Sequence, residues 1–239
     1  MAAALTQKAR ARIAGGLYLL VGIFGGFAEG FVEPKMYVAR DAAATTLNVV
    51  ANAGLVRLGV VADLLDQVFF AFTAMALFLL LVHVHRNMAI ALAVFVGLAV
   101  AIASLNAVFL FEALQVAMDP AYVAAFGAAG MNALVLLLVE TQHYGLLIAQ
   151  VFFGLWLAPL GYLFYKSGLF PKVLGVALVV ASVCYLIDVL TAFLVPGFSR
   201  SIHGVIVIPC AVAEIATVLY LLIVGVRTLE PARETRAGA

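Results

Sequence analysis

The chain has 239 residues, 67% of them hydrophobic and 10% charged, with a formal net charge of +1. Soluble domains carry about 25% charged residues, so this composition excludes an ordinary soluble domain, and so small a net charge gives no footing for nucleic-acid binding. Mean hydropathy is +1.20, and apolar runs of about twenty residues recur, the length that crosses roughly 30 Å of hydrocarbon; the chain reads as a polytopic protein whose first partner is the lipid bilayer.

Lys8, Arg10 and Arg12 precede the first apolar run and mimic a signal peptide. No small-residue cleavage site follows, and the run continues to Val32, so it is read as a first transmembrane helix over 12–32. Gly22, Gly26 and Gly30 recur on it at four-residue spacing. Such a stripe lets another helix approach closely, either within the bundle or in a second copy, which makes it a candidate homo-oligomer contact. Glu33-Pro34-Lys35 reads as a loop. Residues 42–53 read as a short interfacial helix between an N-cap at Asp41 and a C-cap at Gly54.

Further spans are expected at 55–82, 88–117, 142–165, 172–195 and 203–226, separated by His85-Arg86-Asn87, Asp119-Pro120, Ser167-Gly168 and Pro196-Gly197. Pro159 and Pro209 interrupt two of them and predict kinks. Segment 121–139 is uncharged and nearly long enough to cross. Charge bias arbitrates. With six spans, the inner segments hold nine cations (Lys8, Arg10, Arg12, Arg86, Lys166, Lys172, Arg227, Arg233, Arg236) against four outside (Lys35, Arg40, Arg57, Arg200). A seventh span at 121–139 leaves five inside and eight outside, so the positive-inside rule favours six, with both termini cytoplasmic. Segment 121–139 is then expected as an outer helix lying on the membrane or dipping into it. The fold class is all-α: six transmembrane helices plus one or two interfacial helices, in one domain over 8–227, followed by a charged, frayed tail over 228–239.

Six carboxylates fall inside or at the edges of these spans: Glu29, Asp63, Asp66, Glu112, Asp188 and Glu214. A carboxylate in hydrocarbon is expensive and persists where it faces a bundle interior, a partner or water. Counting 1.5 Å per residue from the outer ends, Asp63, Gln150 and Asp188 lie about 11–12 Å deep and Asp66, Asn106 and Glu214 about 16 Å. Five helices thus bring polar groups to one layer, with Glu112 and His143 nearer its mouth. Arg57 is the one cation within reach on that side.

These residues form the candidate ligand- or ion-binding set, and three chemistries suit it. A cation or cationic small molecule neutralises the acids; a proton relay uses the same acids; or a metal ion held by His143 with Asp63, Asp188 and Glu214 activates water for hydrolysis of a lipid-like or amide bond. His203 is a candidate second histidine ligand. Interhelical hydrogen bonding to Asn106, Gln150, Tyr185 or Thr191 is the purely structural alternative. No G-x-S-x-G, H-E-x-x-H, C-x-x-C or phosphate-binding glycine loop occurs, so standard soluble enzyme classes lack support. Cys184 and Cys210 both sit in spans and read as small apolar residues.

Arg12-Ile13-Ala14-Gly15, the run from Arg57 to Leu64, His143-Tyr144-Gly145 with Phe152-Phe153-Gly154-Leu155, Leu174-Gly175 after Pro171, Tyr185-Leu186-Ile187-Asp188, and Glu214 with Gly225 occur in that order. Together they resemble the bacterial and archaeal integral-membrane family catalogued as domain of unknown function 4386. The resemblance spans about residues 8–227 and implies a multi-helix protein of a prokaryotic plasma membrane. It implies no activity. It overlaps the polar layer at Arg57, Asp63, His143, Asp188 and Glu214.

Overall fold

The computed structural model describes residues 6–227, apart from the side chain of Arg200. The charged tail expected over 228–239, with Arg233 and Arg236, lies outside the described residues. Eight α-helices and no strand are present among those described: α1 (Gln7–Phe27), α2 (Glu33–Met36), α3 (Ala42–Ala51), α4 (Ala53–Leu81), α5 (Arg86–Met118), α6 (Pro120–Ser167), α7 (Lys172–Leu194) and α8 (Pro196–Ile223). A π-helical turn, Ala28–Val32, joins α1 to α2. Six helical stretches are long and apolar enough to cross a membrane, from α1 through α2, then α4, α5, α6, α7 and α8.

Local chemistry sets the ends. The Thr6 hydroxyl accepts from the Ala9 amide at 3.2 Å and starts α1. Asp41 accepts from the Ala44 amide at 2.9 Å, the cap expected for α3. His85 Nδ1 accepts from Met88 at 3.3 Å and Asp119 from Ala121 at 2.9 Å, which caps α5 and α6. Gly168 ends α6 at φ 70°, a left-handed position that glycine adopts without strain.

Four expectations need correction. Glu33-Pro34-Lys35 is helix: the Glu33 amide closes the π turn on the Ala28 carbonyl, and through that turn the first span runs on past Pro34 to Met36. The C-cap of α3 is Asn52, whose side chain donates to the Asn48 carbonyl at 2.9 Å; Gly54 falls in the first turn of α4. Segment 121–139 is not a separate outer helix. It breaks at Gly127 (φ 70°, ψ 167°), a conformation open to glycine alone, and from there continues into the fourth span. The apolar stripe Met131, Val135, Val139 is buried and holds this extension against its neighbours. Pro196-Gly197, expected in a loop, likewise opens α8.

Each spanning helix packs on the next in the order α1, α4, α5, α6, α7, α8, and α8 returns to α1, closing a six-helix ring. Two apolar cores fill its ends. The larger, around Leu77, Leu92, Trp156, Leu160 and Phe164, lies toward the end where Lys8 meets Gly225 and the Arg227 amide bonds to the Leu169 carbonyl at 2.9 Å, the termini end. The smaller joins Val32, Met36 and Val49 to Leu114 of α5 and Val135 of α6 at the α3 end. Small residues allow the tightest crossing: a Cβ on Gly161 of α6 lies 2.5 Å from the Gly175 carbonyl oxygen of α7, and one on Gly175 lies 2.6 Å from that of Gly161.

Candidate functional site

Between the two cores the ring encloses an open cavity of about 500 Å³, a size ordinary for small-molecule sites. Its walls come from α1 and its π turn, α4, α6, α7 and α8. Its floor is aromatic: Phe70 stacks on Phe153 at 4.8 Å between ring centres and meets Trp156 edge-on at 5.1 Å, and Tyr18 meets Trp156 edge-on at 5.5 Å.

Three carboxylates line this space, Glu29, Asp66 and Glu214, and no Lys or Arg does so among the described residues. Glu29 sits on the π-helical turn. A π turn inserts an extra residue into the helical register and so changes where side chains project; such turns recur at functional sites. Asp66 is 3% exposed. Its Oδ2 accepts from Gln67 Nε2 at 2.8 Å, whereas its Oδ1 has no partner. Glu214 is held from both sides: Oε2 accepts from Tyr18 at 2.5 Å and Oε1 from Tyr185 at 2.6 Å. At the mouth, His203 Nδ1 lies 3.0 Å from both oxygens of Asp188, and Gln150 Nε2 donates to Asp188 Oδ2 at 3.2 Å. Asp188 is buried under this cover while the His203 side chain is 58% exposed.

A second arrangement lies nearer the α3 end. His143 Nδ1 pairs with Glu33 Oε1 at 2.7 Å, and Tyr37 donates to Glu140 Oε1 at 3.3 Å. Burial and the Glu140 carboxylate raise the Tyr37 phenol above its usual value, so it remains the donor. The rings of Tyr37 and His143 stack at 5.7 Å.

The residues singled out from the sequence therefore divide. Asp66, Gln150 and Glu214 line one cavity, and Asp188 reaches it through Gln150 and His203. Asp63 is buried beside this group with Oδ1 unpartnered, but it does not line the cavity. Asn106 instead donates to the Gln142 carbonyl at 2.6 Å and packs on Gly145, a bond that ties α5 to α6. Glu112 and Arg57 are exposed, and Arg57 reaches only Met118 Sδ, at 3.9 Å. No three His, Cys, Asp or Glu side chains converge closely enough for a metal ion among the described residues, so His143, Asp63, Asp188 and Glu214 do not form one ligand set. Of the two partners expected for the glycine stripe, a helix of the same bundle is not found against it among the described residues. A Cβ on Gly22, Gly26 or Gly30 meets nothing within 4 Å, and all three line the cavity.

Sequence reasoning missed Tyr18 and the pairs Glu33–His143 and Tyr37–Glu140. Tyr18 stands four residues before Gly22, on the same helical stripe as Gly26 and Gly30, and that spacing was the available signal. The two pairs join residues 110 and 103 positions apart, and nothing local announces them.

The family catalogued as Domain of unknown function (DUF4386) matches residues 13–225. The chain belongs to this family. It is also similar to an uncharacterized protein of Archaeoglobus fulgidus, 46% identical over 54 residues, which is 22% of this chain and 33% of that relative. The chain thus matches a third of that relative's length. No solved structure matches.

Proposed function

We propose that the protein binds a cation, or a small molecule carrying one, in the cavity between α1 and α8. The observation that carries this reading is the unpartnered Oδ1 of Asp66, in a residue 3% exposed, at the wall of a space shared with two further carboxylates and no Lys or Arg among the described lining. An unpaired buried carboxylate oxygen is costly, and a bound cation relieves that cost at Asp66. Passage of the same cation across the bilayer is the transport form of the proposal. The family supports a prokaryotic plasma membrane, and the positive-inside count supports both termini in the cytoplasm; the cavity then faces outward.

The buried, unpartnered Oδ1 atoms of Asp63 and Asp66, three residues apart on α4, support a second reading, in which the moving cation is a proton. Among the described residues no three His, Cys, Asp or Glu side chains converge as a metal ligand set would, which favours either reading over a hydrolytic metal.

Melting curves of the purified protein in monovalent, divalent and organic cations at fixed ionic strength test the proposal. An ion that binds only the folded state stabilises it by RT ln(1 + [L]/Kd), about 2.7 kcal/mol at a hundredfold excess over Kd. Stabilisation by at least one cation, lost in Asp66→Asn, is expected. A flat response to every salt removes the cation reading and leaves the proton.

A further inference from the structure

We infer that the ligand is an amphiphilic cation, a long-chain amine or quaternary ammonium, which enters sideways from the bilayer through a gap between α1 and α8. The inference rests on the cation-binding reading above and names the class of molecule.

The two helices run antiparallel and touch at the termini end. Lys8 meets Gly225, Arg12 Nη2 donates to the Ile223 carbonyl at 2.9 Å, a Cβ on Gly15 lies 2.7 Å from Leu221 Cβ, and Tyr18 bonds Glu214. Continuing that register puts Gly22, Gly26 and Gly30 opposite the half of α8 that holds Val207 and His203. There the contact ends. Nothing lies within 4 Å of a Cβ on any of the three glycines, all three are exposed, and Val207 and His203 form the far wall. Pro209, which deprives α8 of one helical hydrogen bond, stands between the touching and the parted halves. The parting is therefore written into both helices, by a proline in one and by the absence of side chains in the other.

The gap spans about eight residues of α1, or about 12 Å, and it opens on the apolar flank of the ring, where Ile23 and Ile208 are exposed. An inorganic ion has no use for such a slot. An alkyl chain lies along it, over glycine backbone and Val21 and Val207, while its cationic head reaches Glu29, Asp66 and Glu214 inside. Charge complementarity selects the sign of the head, and the lateral opening selects the chain.

Trp156 is the single tryptophan of the chain and lies under the cavity floor, so its fluorescence reports occupancy. The protein in phosphatidylcholine nanodiscs is titrated with an alkyltrimethylammonium bearing a nitroxide near its head, then with tetramethylammonium as competitor. Saturable quenching is expected, with the long-chain ligand binding at least about tenfold more tightly than tetramethylammonium because its chain is also sheltered from water. Gly26→Leu, whose added atoms start in open space, should weaken the long-chain ligand at least about fivefold more than tetramethylammonium by filling the slot. Gly22→Leu is the second variant should the first melt early, and Asp66→Asn should weaken both ligands.

Quenching that never saturates, or that a neutral long-chain alcohol with the same nitroxide reproduces, overturns the inference. So does equal loss of both ligands in the leucine variants. A changed oligomeric mass in Gly26→Leu also overturns it, in favour of a second copy seated on the stripe. If tetramethylammonium still binds through Asp66 in any of these cases, the cation reading stands without the amphiphile. If Asp66→Asn alters neither ligand, both fall.

Discussion

Single residues in this bundle show how a polar group is made tolerable in an apolar layer. Glu214 is satisfied by two phenols, Tyr18 from α1 and Tyr185 from α7, so that one carboxylate joins three helices. Asp66 is satisfied on one oxygen only. The first arrangement is structural and the second is poised. Removing one phenol leaves half of Glu214 unmatched; Tyr18→Phe and Tyr185→Phe should each lower stability by about 1 kcal/mol, within the range for interhelical bonds in membranes, and a double-mutant cycle should show coupling between them. Glu214→Gln should rescue neither. Asp66→Asn should cost little stability in the absence of ligand, since the amide keeps a partner for Gln67; equilibrium unfolding of the four variants checks all of this. The acids themselves were legible from their cost in hydrocarbon. Which of them would share a cavity was not, because depth along a helix says nothing about the direction a side chain faces: Asn106 has the depth of Asp66 and Glu214 yet points into the α5–α6 seam.

Among the helices, small residues do two opposite jobs. Gly161 and Gly175 bring α6 and α7 together, each with the carbonyl oxygen of the other where its Cβ would be. Gly22, Gly26 and Gly30 instead face open space, with nothing within 4 Å of a Cβ on any of them. Sequence spacing cannot separate these cases, since both read as small residues on one face. The structure predicts opposite outcomes for one substitution: Gly161→Ala should destabilise by about 1–3 kcal/mol through overpacking, while Gly26→Ala should stay within about 0.5 kcal/mol of wild type. Thermal unfolding of the two variants side by side is sufficient. Helix existence was legible because long apolar runs have few alternatives in a membrane. The boundaries that moved did so for local reasons. Glu33-Pro34 reads as a stop, but the π turn just before it changes the helical register and lets the helix continue past the proline. Gly127 broke segment 121–139 at a place that composition alone does not mark.

The whole molecule is a ring of six helices with an apolar core at each end, the larger and more aromatic one at the termini end, and an acidic cavity between them. On the proposed reading the larger core is the sealed floor of a polar chamber. On the same proposal, which rests on the count of nine cations against four, the termini end faces the cytoplasm. Reporter fusions after Arg227 and at position 130 should place the first inside and the second outside; a reporter outside the cell after Arg227 removes the outward-facing assignment.

The central claim, that Asp66 meets a cation in this chamber, is tested most directly by cation-induced infrared difference spectroscopy of the protein in lipid. The account predicts a change in the carboxyl stretching bands when the stabilising cation is added, and its loss in Asp66→Asn with the rest of the spectrum intact. Bands that no cation alters, or that shift identically in Asp66→Asn, contradict it.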